Sequence, residues 1–292
     1  MSYRILHVAT NLGLRPGGVE RLGDVLLEMD LADRIKAAVD PPIKAPAFND
    51  SIDPAIGARN VQAVAQLAIE QADEVEAVLA DGDFPIVLGG DDSVLFGNLL
   101  ALRRKGSVGV YLLDAHTDFW DPHNSEAGEL SESDIWIATG RGVPQIGNLE
   151  GRSPLVKDQA CVLYGHRDRD LQLKHKSDDV YTTPMLVRNL GEVRAAGISD
   201  AANHAIAFLR ASGVDRAWLH LDADCLSDEL MPAVDWRVRG GFTAEEVVGL
   251  AKPLINSGLV AGMDVTIYNP SLDTPEHAAG KNLADVVVSI LT

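Results

Sequence analysis

The sequence predicts an α/β protein in which helices cover both faces of a central, mostly parallel β-sheet. The main observation is that short apolar runs rich in β-branched residues alternate with longer amphipathic segments along the whole chain. Such an alternation is typical of parallel strands connected by helices. The chain has 292 residues and contains no repeat, low-complexity tract or linker. We therefore expect a single domain over residues 1–292.

Six short apolar runs, bounded by polar or turn-forming residues, are predicted as strands. They are Tyr3–Ala9, Phe84–Leu88, Val108–Leu113, Ala160–Leu163, Ala217–Leu221 and Leu259–Val265. Five segments with an apolar period of about 3.6 residues are predicted as helices. They are Asn60–Ala80, Val94–Lys105, Asp200–Ser212, Thr243–Asn256 and Lys281–Leu291. Thr243, with Glu245 and Glu246 in the next turn, is expected to cap the fourth of these helices.

Composition narrows the classes of function. The formal net charge of −18 argues against nucleic-acid binding, which needs a basic surface. No apolar run approaches the roughly 18 uncharged residues that cross a membrane, and the N-terminal segment lacks the apolar stretch of a signal peptide. The chain has only two cysteines, Cys161 and Cys225, which favours a reducing cytoplasm. We expect a cytoplasmic protein that acts on a small molecule.

Two acidic segments directly after predicted strands indicate a metal site. Asp114, His116 and Asp118 follow the third strand, and Asp222 and Asp224 follow the fifth. Side chains two residues apart point to the same side of an extended strand. Carboxylates at the end of an apolar strand are costly to bury unless a cation compensates them. The pattern therefore predicts a metal site, with two ions favoured; the alternative is that these acids are helix caps and solvated loop residues.

Other polar residues follow the second and sixth strands, and the carboxyl ends of parallel strands form the edge where ligands bind. Asp92, after the second strand, is a further candidate ligand, but Asp91 or Asp92 could instead cap the helix that begins at Ser93. Gly89 and Gly90 are better explained by close backbone packing than by phosphate binding, because no complete phosphate-binding motif is present.

Two histidines near these segments have weaker functional signals. His220 has the same strand parity as Asp222, so a supporting hydrogen bond behind the ligands is a better interpretation than ligation. The segment Asp118–Ile135 is predicted to be a loop that overhangs the mouth of the sheet. His123 within it is a candidate mobile acid or base, and the alternative is a solvated loop histidine.

The order of these motifs resembles the arginase/agmatinase, or ureohydrolase, family. That family has Gly-Gly-Asp-His-Ser, Asp-Ala-His-x-Asp, Ser-x-Asp-x-Asp and Glu-x-Asn-Pro segments. The corresponding segments here are Gly89–Ser93, Asp114–Asp118, His220–Asp224 and Ile267–Pro270, and Gly165–Asp168 is similar to the family's Gly-x-Arg-Asp strand end. The resemblance covers essentially the whole chain. It implies a three-layer α/β/α arginase-like fold, usually assembled as homo-oligomeric trimers or hexamers.

The resemblance also implies a chemistry. It implies two Mn²⁺ ions per subunit, bridged by Asp114 and Asp222, with a single ion as the alternative. The implied metal ligands are Asp92, Asp114, His116, Asp118, Asp222 and Asp224. His116 and Asp118 are also the predicted catalytic residues. A water bridging the ions would become hydroxide and attack a guanidino or amidino carbon, cleaving a linear amidine C–N bond.

Three of the departures from the family pattern matter for function. Asp92 stands where the family has its first metal-binding histidine, and its extra negative charge would make the metals weaker Lewis acids and favour Mn²⁺ or Mg²⁺ over Zn²⁺. Ser131 replaces a loop histidine. Ile267 replaces the glutamate that pairs with the substrate guanidinium, so it forms an apolar wall of the pocket and makes arginine and agmatine doubtful substrates. Asp170, near the family's amino-group-binding acid, is a candidate substrate contact or a surface acid.

Three functions remain open at this point. The first is a Mn²⁺-dependent hydrolase of linear amidine-like C–N bonds with an altered substrate pocket formed in part by His123, Asp170 and Ile267. The second is a non-hydrolytic family member that acts as a metal-dependent ligand-binding or assembly subunit. The third is a hydrolase that cleaves a different amide-type bond with the same metal centre.

Overall fold

One parallel sheet organises the chain. The structure is a computed structural model, and it describes residues 2–292. Within that range nine strands pair in parallel: β1 Tyr3–Ala9, β2 Ala37–Val39, β3 Ile43–Lys44, β4 Phe84–Leu88, β5 Val108–Leu113, β6 Cys161–Tyr164, β7 Leu186–Arg188, β8 Arg216–Asp222 and β9 Val260–Thr266. Their order is β2-β1-β4-β9-β8-β5-β6-β7, and β3 pairs with the end of β1.

Helices cover both faces of this sheet. The described residues contain eleven: α1 Leu22–Glu28, α2 Leu31–Ile35, α3 Val61–Ala80, α4 Val94–Arg103, α5 Asp134–Ala138, α6 Pro144–Gly147, α7 Arg169–Lys174, α8 Leu190–Ala196, α9 Ile198–Ala211, α10 Ala244–Asn256 and α11 Ala278–Leu291. Alternate residues of β5 belong to two separate cores, with Tyr111 facing the layer of α9 to α11 and Leu112 facing the layer of α3 to α6. This alternation confirms the predicted three-layer fold class.

The predicted strands agree with the structure to within one residue at each end. The short strands β2, β3 and β7 were not predicted, because two or three half-exposed residues give no periodic signal. Thr243 caps α10 as expected: its Oγ1 accepts a hydrogen bond from the Glu246 N–H at 3.2 Å, and Glu246 Oε2 accepts one from the Thr243 N–H at 2.9 Å.

The topology brings the polar strand ends together. Strands β4, β9, β8 and β5 are neighbours in the middle of the sheet, and all run in the same direction. Gly90, just beyond β4, packs closely on the first strand's end, since a Cβ there would lie 1.7 Å from the Thr10 carbonyl oxygen. This contact explains the glycine as close packing. Strands from the beginning and the end of the chain, β1 and β9, belong to this one sheet. A single domain over residues 1–292 stays a prediction.

Among residues 2–292, no helix combines the length and the apolar character needed to cross a membrane.

Candidate metal centre and its cavity

The carboxyl ends of the four central strands open on a cavity of about 660 Å³. Most of the predicted site residues line it: Asp92, His116, Asp118, Asp222, Asp224 and Ile267. Asp114 lies fully buried beside His116. The structure therefore brings all six predicted ligands to one edge of the sheet, as the parallel topology requires.

The tightest group of donor atoms comes from both acidic segments. Asp114, His116 and Asp224 each offer one donor atom, and these atoms lie within 4.8 Å of one another. His116 Nδ1 is 2.9 Å from Asp224 Oδ2 and 3.8 Å from Asp114 Oδ1. Asp224 Oδ1 also accepts a hydrogen bond from the Ala115 N–H at 3.0 Å, which ties the two segments together. This arrangement could hold one cation between two carboxylates and an imidazole.

Local turns set the direction of these side chains. Asp114 Oδ1 accepts a hydrogen bond from the His116 N–H at 2.7 Å, and Asp222 Oδ1 accepts one from the Asp224 N–H at 2.7 Å. Each strand thus ends in the same kind of turn, in which an aspartate bonds the backbone two residues later. Asp118 has a φ of +43° and is 6% exposed, so an unusual backbone conformation lies directly at the cavity.

The pKa values of these acids show that the surrounding residues do not compensate their negative charge. Burial, with the nearby Asp224 charge, raises the pKa of Asp114 to about 7. Burial and neighbouring carboxylates also raise the pKa values of Asp118 and Asp222 well above their ordinary range. Within residues 2–292, Asp114 Oδ2 has no hydrogen-bond partner. Buried carboxylates that repel one another need a compensating cation, and oxygen with imidazole donors suits a divalent metal such as Mn²⁺. The residues present fit the predicted metal.

His116 and Asp224 lie within ion-pair distance, with Nδ1 2.9 Å from Oδ2. Burial opposes the charge on His116, but the carboxylate of Asp224 raises the pKa of the imidazole to about 10. Burial likewise opposes the charge on Asp224, whose pKa is nevertheless lowered because His116 and the Ala115 N–H stabilise the carboxylate. A metal that binds here must displace the imidazole proton.

The structure distinguishes the roles of two adjacent aspartates. Asp91 Oδ1 accepts a hydrogen bond from the Ser93 N–H at 2.9 Å, and Asp91 Oδ2 accepts one from Thr10 Oγ1 at 3.3 Å. Asp91 therefore holds the turn before α4, while Asp92 faces the cavity. Ser131 donates its hydroxyl to Asp91 Oδ1 at 3.4 Å. The side chain at the position of the family's loop histidine is thus engaged with a structural turn.

Two predicted substrate contacts lie outside the residues that line the cavity. The His123 ring is 56% exposed, with Nδ1 3.0 Å from Asp121 Oδ1 and Nε2 3.0 Å from the Ala55 carbonyl oxygen. Asp170 borders a separate cavity of about 300 Å³ beside Arg169. Ile267, by contrast, lines the main cavity and is 6% exposed. The substrate roles of His123 and Asp170 stay predictions.

Sequence reasoning missed several cavity residues. Asp168, 6% exposed, lines the cavity, and its place in the Gly-x-Arg-Asp segment was the available signal. A mouth cluster consists of Arg15, Glu129 and Trp236. Arg15 Nε contacts Glu129 Oε1, and Trp236 Nε1 donates a hydrogen bond to Glu129 Oε2 at 3.3 Å. No local pattern predicts this cluster, because its members come from three distant loops.

Comparison with known proteins identifies the family. The sequence model described as "Arginase family" matches residues 19–292. This chain belongs to the arginase family. It is similar to the arginase of Staphylococcus aureus (strain COL), with 29% identity over 254 residues that cover 87% of this chain and 81% of that protein. Membership in the arginase family confirms the predicted family and enzyme class, a hydrolase of non-peptide, amidine-type C–N bonds.

Solved structures of the family share the fold. The crystal structure of the arginase from Bacillus caldovelox superposes with a TM-score of 0.85 at 24% identity, covering 99% of this chain and 98% of that one. The formimidoylglutamase of Bacillus subtilis superposes with a TM-score of 0.72 at 15% identity, covering 100% and 86%. At such identities the likeness concerns the fold alone.

Proposed function

We propose that this protein is a Mn²⁺-dependent hydrolase that cleaves the C–N bond of a linear amidino compound and has a pocket altered from guanidinium recognition. One observation carries the proposal: the six predicted ligands meet at one sheet edge and face or border a single large cavity. Bound divalent cations would supply Lewis acidity and an activated water at this edge.

The chain's own residues have distinct parts in this proposal. Asp114 and Asp222, at the ends of the two strands, would hold the Mn²⁺ ions together with Asp92, His116, Asp118 and Asp224. Asp168, beside His116, lies in the same cavity with its pKa raised by burial. A carboxyl group at this place could serve as a proton donor to a leaving amine.

The cavity favours a substrate with an apolar body. Its walls include the indole rings of Trp120 and Trp236, and Ile267 lies where a guanidinium would need a carboxylate. A volume of about 660 Å³ is also within the range that accommodates ligands of drug size. We therefore propose amidino or formimino compounds with an aromatic or aliphatic body as the substrates, in preference to arginine or agmatine.

The proposal also includes the cellular compartment and the oligomeric state. The family acts on small molecules, and we propose that this member works in the cytoplasm as a homo-oligomer, a trimer or a hexamer. The two cysteines, Cys161 and Cys225, are both free and buried, which suits a reducing compartment. Size-exclusion chromatography with light scattering measures the oligomer directly.

Metal analysis and a substrate panel test the proposed function together. Protein purified without chelator is expected to contain or take up Mn²⁺, and to hydrolyse at least one member of a panel of guanidino acids, amidines and formimino compounds. Asp114→Ala should abolish turnover, whereas Asp285→Ala, which removes an exposed carboxylate on α11, should not. A wild-type protein that neither contains nor takes up Mn²⁺ rejects the metal-dependent hydrolase.

A second candidate function is supported by the departures at positions 92, 131 and 267. All three border the cavity, so a family member that binds a ligand without hydrolysing it would show this pattern. Tight binding of a panel compound in the presence of Mn²⁺, without turnover, would favour this function. Hydrolysis of an amide-type compound, but of no amidine, would favour the third function, a hydrolase with the same centre and a different bond.

A further inference from the structure

His220 lies between two carboxylates beneath the candidate metal centre. It is fully buried on β8 and pairs in register with Asp264 on β9. Its Nδ1 is 2.7 Å from Asp264 Oδ1, and its Nε2 is 3.5 Å from Asp92 Oδ1. His220 does not line the cavity, and each ring nitrogen faces a carboxylate. These two distances are ion-pair contacts, because neither ring nitrogen has a partner in hydrogen-bonding geometry among residues 2–292. Asp92 is the predicted metal ligand that Nε2 faces.

Asp264 is itself fixed by buried donors. Its Oδ2 accepts hydrogen bonds from Trp218 Nε1 and from Asn98 Nδ2, both at 2.7 Å. Asn98 Oδ1 in turn accepts a hydrogen bond from Gln71 Nε2 on α3 at 2.6 Å. A polar chain thus runs through the core from a helix to the cavity edge, and its members are 2% exposed or less. The hydrogen bonds from Trp218 and Asn98 hold the Asp264 carboxylate in one orientation beside the His220 ring.

Two departures from the family pattern meet in this chain. The family segments have histidine at the position of Asp92 and serine at the position of His220, so here a carboxylate replaces an imidazole and an imidazole replaces a hydroxyl. We propose that His220 is a positioning residue for Asp92. The ring lies between Asp264 and Asp92, and its Nε2 attracts Asp92 Oδ1, which would leave the other carboxylate oxygen free to serve as a metal ligand. This inference rests on the proposed metal centre.

These two replacements have a consequence for Asp92 and His220 as a pair. An aspartate without the imidazole behind it would lose the contact that orients it, and a histidine at position 92 would leave His220 facing another ring in place of a carboxylate. Mutation of a residue that supports a metal ligand from behind typically lowers metal affinity by about 10–100-fold. The effects of substitutions at His220 and Asp92 on Mn²⁺ affinity should therefore depend on each other, whereas the effects of substitutions at unconnected core positions would add.

A double-mutant cycle on metal binding tests this inference. Metal-free wild type, His220→Ser, Asp92→His and the double variant are titrated with Mn²⁺ by calorimetry and by EPR of the bound ion. Each single variant should weaken one Mn²⁺ site by about 10–100-fold and leave the other within about threefold. The double variant should recover most of the lost affinity. His7→Gln, at another buried histidine outside the cavity lining, is the matched control and should change neither site.

The outcomes separate the two proposals. A wild type that binds no Mn²⁺ overturns the metal centre and this inference together. A wild type that binds Mn²⁺, with His220→Ser equal to the control or with single losses that simply add in the double variant, overturns only the role of His220. If His220→Ser fails to fold, Asp264→Asn tests the inference instead, because it removes the charge that faces His220 Nδ1. It should weaken the same Mn²⁺ site and shift its EPR signal, and an unchanged affinity and signal would overturn the inference.

Discussion

Ile267 donates its backbone N–H to the carbonyl oxygen of Gly90 at 2.8 Å. This bond joins the chain beyond β9 to the chain beyond β4, at the edge where the ligands gather. Ile267 has a φ of +69°, in the left-handed region that a β-branched residue rarely adopts. Such a conformation costs on the order of 1–3 kcal/mol and persists when the surroundings enforce it. The two strand ends therefore hold an apolar side chain against the cavity.

The first prediction concerns this side chain. Ile267→Glu should create turnover of a guanidinium substrate or raise it by about 10–100-fold in kcat/KM, because a charge-assisted bond contributes about 1.5–3 kcal/mol. The measurement is steady-state kinetics with agmatine and an apolar amidine, at saturating Mn²⁺.

Ile267→Gln is the matched control, since it has the same size and no charge. It should lose activity towards the apolar amidine without gaining any towards agmatine. Equal behaviour of the Glu and Gln variants would show that position 267 does not select for the charge of the substrate.

The second prediction concerns the free energy of unfolding with and without Mn²⁺. Burial raises the pKa of Asp114 to about 7, from an ordinary value of 3.8. Between these values the folded, metal-free protein keeps a proton that the unfolded chain releases, so its stability falls as the pH rises through that window. Mn²⁺ should therefore stabilise the protein more at pH 7 than at pH 5, by about 1–3 kcal/mol.

Urea unfolding at the two pH values, in EDTA and in excess Mn²⁺, measures this difference. Asp114→Asn removes the titrating carboxylate and should make the metal-free protein less sensitive to pH in the same window. An equal effect of Mn²⁺ at both pH values would contradict the proposed cost of burying these acids.

The metal centre can be predicted from the sequence because its acidic residues directly follow apolar strands that are recognisable from local patterns. Asp114 and Asp222 each end an apolar strand, and parallel strands have only one edge at which such residues can meet. Local signals alone do not choose between the adjacent Asp91 and Asp92, and the prediction of Asp92 rested on the resemblance to the family. In the structure, Thr10 and Ser93 bond Asp91 at the turn, and Asp92 faces the cavity.

The rim of the cavity was not predictable for a different reason. His123 carries the signal of a catalytic loop histidine, but the loop turns its ring towards the Ala55 carbonyl. Glu129 and Trp236 are 107 residues apart and meet only because their loops cross the same strand ends. Contacts of this kind depend on loop conformation, which apolar periodicity does not encode.

The third prediction concerns the mouth cluster. Glu129 is 4% exposed, and burial raises the pKa of its carboxyl while Arg15 opposes that rise. Arg15→Ala should lower the free energy of unfolding at pH 7 by about 1–3 kcal/mol, because it leaves a buried carboxylate without its cation. Arg15→Ala/Glu129→Gln should recover most of that loss. Urea unfolding of the three proteins tests this, and a double variant no more stable than Arg15→Ala would count against the pair.

The fourth prediction concerns His166, which lies beyond β6 and outside the main cavity. Burial lowers the pKa of its imidazole to about 4. The Tyr181 hydroxyl donates its hydrogen to Glu192 Oε2 at 2.8 Å, so His166 Nε2, 3.0 Å from that hydroxyl oxygen, must be the donor in a neutral ring. A histidine whose pKa is lowered on folding does not lower the free energy of unfolding at pH values well above its ordinary pKa of 6.5. It destabilises the protein as the pH falls from there towards 4, when the unfolded chain takes up a proton first.

His166→Phe keeps an aromatic ring against Tyr181, whose ring centroid is 5.5 Å away, and removes the titration. The difference in free energy of unfolding between wild type and variant should therefore change by about 2–3 kcal/mol between pH 7 and pH 4, in favour of the variant at low pH. Urea unfolding of both proteins in the same EDTA buffer series cancels the contribution of the acids at the metal centre. Parallel stability curves for the two proteins would show that His166 titrates normally and that its burial carries no electrostatic cost.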